Sequence, residues 1–463
     1  MQSIISAGLM IVLACAAGVF AAEPGDGESS PGVSFHEQIR PLLQKHCQGC
    51  HQPARAQGKL DVTTFAAFKV GGREGEGFVA GKPEESVVID YLTGAAEPRM
   101  PKDADPLSDD EIDLFRQWIA EGAVDDSPPN TGAMYSMESP PSYEQPPVIS
   151  ALTYSRDGKW LAVSGYHEVL IHAAEGDALQ ARLVGLSQRI NALAFSPDGE
   201  LLGVAGGSPG RFGEIQLWDV ENKKLRESIT VGFDSVYGLS FSPDSQRVAV
   251  GCADNTARVF DVRKGTEQLE LKHHTDWVFG TIFSPDGKYL VTVSRDRAAK
   301  LSEADTGAMI DDINKLKSEL KCIAGHPRQD QFIHAGDDGV AEIYKMHRTQ
   351  ARVIGDDFNL LRTLEPLPGP SPAFAVAYSA DGEQVAVAGG YKEVRVHHGD
   401  TGKRIATLTG HEGSVYAVAF SPGGAQIATG GFDGKVRLYD IKSQKLIKAF
   451  IPVPLKAEVA VGN

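Results

Sequence analysis

The stretch FSPDGKYLVTVS, at residues 283–294, is one of six similar segments that recur along the chain. The other five are YSRDGKWLAVSG (154–165), FSPDGELLGVAG (195–206), FSPDSQRVAVGC (241–252), YSADGEQVAVAG (378–389) and FSPGGAQIATGG (420–431). Successive segments start 41, 46, 42, 95 and 42 residues apart, and we place a degenerate seventh copy in the long gap, at residues 322–344. A period in the forties indicates a repeat architecture in which each unit contributes one small sheet.

Each unit combines a turn with strands. Ser-Pro-Asp-Gly provides Pro at the first central turn position and Gly where a positive φ is needed. An alternating apolar segment follows, which is typical of a strand. The 50 glycines of the 463-residue chain fit many tight turns. These units resemble WD repeats, and seven of them predict an all-β, seven-bladed propeller over residues 149–455.

The hydrogen-bonded tetrad of WD repeats is suggested in two units only. The candidates are His411, Thr429, Asp433 and Tyr439 in the last unit, and His274, Ser294 and Asp296 in an earlier one. We also predict that KLIKAFIPVPL (445–455) is the outer strand of the first blade and closes the ring. Two insertions, residues 208–213 and 345–373, are either simple loop growth or rim loops that contact a partner.

Residues 47–51 read CQGCH. Two thiols three positions apart can each form a thioether to a haem vinyl group, and the adjacent His51 is then held beneath the iron. A redox dithiol would need only Cys-x-x-Cys, but it usually lies in a βαβ context, which is absent here. A zinc site would need a second ligand pair nearby, which the sequence does not show. We therefore predict one covalent haem c, attached at Cys47 and Cys50, with His51 as an iron ligand.

Two amphipathic helices are predicted around this motif. Phe35, Ile39, Leu42 and Leu43 have helical spacing just before it. Downstream, LSDDEIDLFRQWIAEGA (107–123) begins with a capping box of Ser108 and Glu111 and ends near Gly122. Its apolar face consists of Ile112, Phe115, Trp118 and Ile119. Two such helices packing beside a haem indicate a small all-α domain.

The second axial ligand is predicted to be Met100, in the Pro-rich loop EPRMPKDADP (97–106). A thioether there would saturate the iron and raise its potential. The alternatives are His36, His46 or no protein ligand.

Residues 35–123 resemble the planctomycete-type cytochrome c domain, through FHEQIRPLLQKHCQGCH (35–51), RMP (99–101) and WIAEGA (118–123). The resemblance implies covalent haem at Cys47 and Cys50, with His51 and Met100 as axial ligands. RVIGDDFNLLRTL (352–364) and FDGKVRLYDIKSQKLIKAF (432–450) resemble planctomycete proteins in which a propeller follows the cytochrome. The predicted organisation is a signal peptide (1–22), a cytochrome c domain (33–123), a Pro/Ser-rich linker (124–148), the propeller (149–455) and a tail (456–463).

The amino terminus predicts export. Residues 1–22 contain no charged side chain, residues 4–20 are largely apolar, and Ala21 and Ala22 precede a polar stretch. This is typical of a cleaved secretory signal, which would place the protein in the periplasm. An uncleaved membrane anchor and lipid attachment at Cys15 stay open. The other two of the five cysteines, Cys252 and Cys322, are predicted to be apolar fillers in strands.

The sequence favours an exported electron-transfer protein whose propeller is a scaffold for protein docking. The formal net charge of −16 argues against a nucleic-acid partner. The expected partners are a redox protein and a protein docked on the propeller, with membrane contact only through an N-terminal anchor. Two alternatives are a haem-based redox or gas sensor that controls propeller binding, and a propeller oxidoreductase that exchanges electrons through the haem. No catalytic residues are evident.

The leader gives a first testable prediction. Because the signal sequence should be removed during export, N-terminal sequencing of protein purified from an exporting host should begin near Ala22 or Glu23. An acylated Cys15 at the start would instead identify a lipoprotein, and an intact Met1 would identify an uncleaved anchor.

Overall fold

A computed structural model describes residues 32–102, 104–127, 135–313, 317–348 and 357–456. The predicted signal peptide, Cys15 and all of the predicted tail except Lys456 lie outside these residues. Within the described part, no helix has the length and apolar character needed to cross a membrane. The chain has a helical region, residues 32–127, and a strand region, residues 135–456.

The helical region contains the two predicted helices and two more. A π-helical turn (Phe35–Ile39) runs into α1 (Arg40–His46), followed by α2 (Phe65–Val70), α3 (Val87–Thr93) and α4 (Asp109–Ala120). Short 3-10 turns lie at Pro53–Arg55, Gln57–Lys59 and Pro83–Glu85. The predicted capping box is confirmed: the Glu111 amide donates to Ser108 Oγ at 3.3 Å, and the Ser108 amide donates to Glu111 Oε2 at 2.9 Å.

An aromatic cluster joins the first and last helices of this region. Trp118 on α4 lies 5.3 Å from Phe35 and 4.8 Å from Phe78, measured between ring centroids. Its side chain is buried, and its indole Nε1 donates to the Val124 carbonyl at 3.2 Å. The predicted apolar faces are confirmed, since Phe35, Ile39 and Leu43 are buried together with all four predicted residues of α4, and Leu42 is partly buried against them. This packing fixes the end of α1, where the CQGCH motif begins.

The strand region begins with a seven-stranded antiparallel sheet. Its strands, in spatial order, are β1 (Leu152–Tyr154), β2 (Trp160–Ser164), β3 (Tyr166–Ala173), β4 (Leu179–Phe195), β5 (Leu202–Ser208), β6 (Phe212–Asp219) and β7 (Lys224–Gly232). The long strand β4 pairs with β3 through residues 179–189 and with β5 through residues 189–195. The sheet therefore consists of two four-stranded units that share β4.

Five four-stranded antiparallel sheets follow. The first contains β8 (Val236–Phe241), β9 (Arg247–Cys252), β10 (Ala257–Asp261) and β11 (Glu267–Leu271), and the second contains β12 (Val278–Phe283), β13 (Tyr289–Ser294), β14 (Ala299–Glu303) and β15 (Met309–Asp312). The third contains β16 (Leu320–Gly325), β17 (Gln331–Gly336), β18 (Glu342–Lys345) and β19 (Leu360–Thr363), and the fourth contains β20 (Ala373–Tyr378), β21 (Gln384–Gly389), β22 (Val394–His398) and β23 (Arg404–Leu408). The fifth contains β24 (Val415–Phe420), β25 (Gln426–Gly431), β26 (Val436–Asp440) and β27 (Lys445–Phe450). The degenerate seventh copy falls on β16, β17 and β18.

The repeated turn joins the first and second strands of the units in which it occurs. In the fourth unit the Ser284 hydroxyl donates to Asp286 Oδ1 at 2.6 Å and accepts from the Tyr289 amide at 3.0 Å. Gly287 has a φ of 74°, which explains the glycine that closes the turn. The same Ser-to-Asp hydrogen bond recurs at Ser155, Ser196, Ser242 and Ser379.

The prediction for KLIKAFIPVPL is wrong. Its strand, β27, pairs with β26 and is the fourth strand of the last sheet, while the first unit takes its outer strand from β4. The turn between β26 and β27 is short, so the local hairpin pairing wins over the distant one. Residues beyond β27 do reach the first sheet, since the Pro452 carbonyl lies 3.0 Å from Nε2 of His172 on β3. Leu455 forms a parallel bridge with Tyr143, which precedes that sheet.

The polar tetrads differ from their predicted membership. His274 binds Asp296 at 2.9 Å and Thr292, instead of Ser294, at 2.7 Å. His411 binds Thr429 at 3.0 Å and Arg437 at 3.3 Å, and Arg437 pairs with Asp433 at 2.8 Å. Tyr439 instead donates to the Thr409 carbonyl at 2.7 Å.

Asp296 is predicted to stabilise the strand region in a pH-dependent way. Burial raises its pKa, but the hydrogen bond and charge of His274 outweigh burial and hold the pKa at about 2. Because the pKa is lowered on folding, the stabilisation is present above about pH 4 and is lost as the pH falls toward 2. Asp296→Asn should lower the free energy of unfolding by about 2 kcal/mol at pH 7, measured by denaturant titration with circular dichroism.

The difference between Asp296→Asn and the unmodified chain should shrink between pH 4 and pH 2. Asp305→Asn is a matched control, since the Asp305 side chain is 81% exposed. Equal destabilisation by both substitutions would contradict the role assigned to Asp296.

Candidate cofactor site

The CQGCH motif forms a turn directly after α1. Cys47 caps the helix, and its carbonyl accepts from the Cys50 amide at 3.1 Å and the His51 amide at 3.0 Å. This turn places the side chains of Cys47 and Cys50 one helical turn apart, on the same side of the chain. Both cysteines are thiols rather than a disulfide. Burial raises the pKa of Cys47 to about 12, and the neighbouring Cys50 adds to the shift.

His51 is held in one orientation by the chain that follows it. Its Nδ1 lies 2.9 Å from the Gln57 carbonyl oxygen. Because a carbonyl oxygen only accepts, Nδ1 carries the proton and Nε2 keeps its lone pair. Burial lowers the pKa of His51, with the Gln57 carbonyl opposing the shift. A neutral, oriented imidazole of this kind is what a metal ligand requires.

Met100 lies in the loop after α3. Its amide donates to the Tyr91 carbonyl at 2.9 Å, and the Nε of Arg99 donates to the Leu92 carbonyl at 3.2 Å. These bonds to α3 fix the loop, so Met100 stays half-buried beside the motif.

Cys47, Cys50, His51 and Met100 line one cavity of about 1550 Å³. Its size exceeds that of usual small-molecule pockets, about 300–1000 Å³. The donor set fits a covalently held haem: two thiols, an imidazole with an available nitrogen, and a thioether. The four residues that the sequence predicts are thus brought together.

The alternative ligands His36 and His46 are less well placed. His36 does not line the cavity, and its Nδ1 contacts Arg40 at 3.5 Å. His46 does line it, but its Nε2 already contacts Glu111 at 3.3 Å. Among the described residues, no group of three or more His, Cys, Asp or Glu side chains is arranged to hold a metal ion.

The strand region forms the other side of the cavity, which sequence reasoning missed. The lining there comes from Arg211 and Phe212, from residues 227–234, and from residues on and around β10 and β11. The only sequence signal was the insertion at residues 208–213, whose Arg211 and Phe212 reach the cavity. Contacts between distant segments of this kind leave no local periodicity to read.

Two family models match this chain. The planctomycete cytochrome C model matches residues 47–104, which contain all four predicted haem-binding residues. The WD domain, G-beta repeat model matches residues 226–261, 265–301 and 402–440. The chain carries a cytochrome C domain and WD repeats. The first match implies haem c binding, and the second suggests a scaffold for protein interactions.

Curated relatives share only part of the chain. A rice protein named chromatin assembly factor 1 subunit FAS2 homolog is 29% identical over 175 residues, covering 34% of each chain. The WD repeat-containing protein 26 homolog of Arabidopsis thaliana is 25% identical over 57% of this chain and 43% of its own. Periodic tryptophan protein 2 of Saccharomyces cerevisiae is 25% identical over 57% of this chain and 31% of its own. The matched segments span less than half of each relative.

Proposed function

We propose that this protein is an exported monohaem c-type cytochrome that transfers electrons, with the WD repeats as a docking scaffold. One observation carries the proposal: the two thiols, the oriented imidazole and the Met100 thioether line a single cavity. CQGCH occurs once in the chain, so one haem is expected. Export is supported by the apolar run at residues 4–20.

Each residue has a distinct part in this proposal. Cys47 and Cys50 would hold the haem covalently, and His51, through Nε2, and Met100 would bind its iron. The bound haem would supply one-electron chemistry at a saturated iron of raised potential. The Gln57 carbonyl keeps the His51 ring oriented, and the backbone bond to Tyr91 keeps Met100 in reach of the cavity.

We further propose that the strand region closes into a seven-bladed propeller. The two units that share β4 and the five later sheets make seven four-stranded units. Closure is supported where the first and last units meet: the Ile149 amide donates to the Gly431 carbonyl at 3.0 Å, and Leu152 shares a core with Ala417 and Val436. A closed ring of this kind is a rigid disc. The relatives named for assembly factors and WD repeats support protein partners.

Covalent attachment at the motif is testable by substitution. The double variant Cys47→Ala with Cys50→Ala should lose all covalent haem, because both thioether sulfurs are removed. Mass spectrometry of the denatured protein checks this, with one haem expected on the unmodified chain. The matched control replaces Cys252 and Cys322, which lie on β9 and β16, and should keep its haem. Haem retained by the first variant would rule out the assignment.

Met100→Ala tests the second axial ligand. It should remove the weak near-infrared sulfur-to-iron absorption band, lower the midpoint potential and open the iron to carbon monoxide. Met309→Ala is the matched control, because Met309 lies on β15 with its side chain 41% exposed. If the unmodified ferrous protein already binds carbon monoxide readily, the iron is not saturated, and a sensor role gains over electron transfer.

A further inference from the structure

The helical region rests on β7 at the CQGCH motif. The Thr230 hydroxyl donates at 2.9 Å to the carbonyl of Gln44, which lies in the last turn of α1. Arg55 and Glu227 form an ion pair whose side chains are 17% and 20% exposed. Such a half-buried pair is held more firmly than a surface pair, which contributes little. Two polar contacts therefore fix the motif's flanks against one strand.

A close approach of the two backbones lies between these contacts. Gly49 is the central glycine of CQGCH, and a Cβ atom there would overlap the Ser228 carbonyl oxygen of β7. Gly49 does not have the positive φ that would favour glycine in a turn. Glycine is required at this position because the two backbones lie so close together. The haem-binding turn is thus seated directly on the strand region.

Phe233 lies on the strand side of the same cavity, in the turn after β7. Its side chain is 70% exposed, although it lines the cavity together with Met100. One exposed phenylalanine is ordinary on a protein surface. Its position is what matters, because an apolar group occupying this cavity would cover Phe233. Phe212, also on this wall, is already buried.

We propose that the strand region is the second wall of the haem site, with β7 as its seat and Phe233 as an apolar cover for the haem. This inference rests on the proposed function. It means that the repeats affect the midpoint potential of the haem in addition to docking partners. Water near a haem stabilises the ferric state, which carries one more positive charge than the ferrous state. Phe233 would displace water on its side of the haem, which would raise the midpoint potential.

Phe233→Ala tests the wall in the full-length, haem-loaded chain. Redox titration should show a lower midpoint potential than in the unmodified protein, with the covalent haem and the sulfur-to-iron band retained. Phe432→Ala is a closely matched control, since Phe432 is 62% exposed in another turn of the strand region and does not line the cavity. Its potential should be unchanged.

Charge reversal tests the seat independently of Phe233. Glu227→Lys should speed hydrogen exchange at the β7 amides, because it breaks the ion pair with Arg55, and adding Arg55→Glu should restore slow exchange. Arg226→Glu, on the same strand with its side chain 57% exposed, should leave the exchange unchanged. An unchanged potential in Phe233→Ala together with unchanged exchange in Glu227→Lys would overturn this inference while leaving the haem assignment intact. Absence of covalent haem from the unmodified chain would overturn both.

Discussion

The hydrogen bond between a turn serine and the aspartate two residues later underlies most of the strand region. The Ser hydroxyl donates to the carboxylate and accepts from the amide that opens the next strand, as at Ser284, Asp286 and Tyr289. Short local bonds of this kind let each hairpin form with little loop-closure cost. The bond is repeated with distances of 2.5–2.7 Å in five units. The apolar faces of neighbouring sheets then pack against each other.

Local chemistry explains why so much could be predicted from the sequence. Turn residues, period-two alternation and the capping box of Ser108 and Glu111 are encoded within a few positions of one another. The four haem-binding candidates were likewise found from short motifs, and the structure places them on one cavity. The degenerate copy was located by spacing alone, because the turn signature is missing from residues 322–344.

Contacts and strand pairings between distant segments could not be predicted in this way. The composition of KLIKAFIPVPL fits an outer strand in either the first or the last unit, and only the short turn before β27 decides between them. Arg437 was not predicted as a partner of His411. Its side chain is held beside His411 by the ion pair with Asp433, and this pairing is visible only in the folded structure. Gly49 likewise looks like a spacer inside CQGCH, and its contact with Ser228 appears only in three dimensions.

The shared strand β4 has a mechanical consequence for the cofactor site. Hydrogen bonds run without a break from β1 to β7, so the first two units cannot separate by simply sliding apart. Proteins open locally in cooperative pieces, and a continuous sheet belongs to one such piece. The strand beneath the CQGCH turn, β7, is therefore tied through β4 to the first unit as well as to its own, on the side where the helical region is attached. The later units, each a separate four-stranded sheet, have no such shared strand.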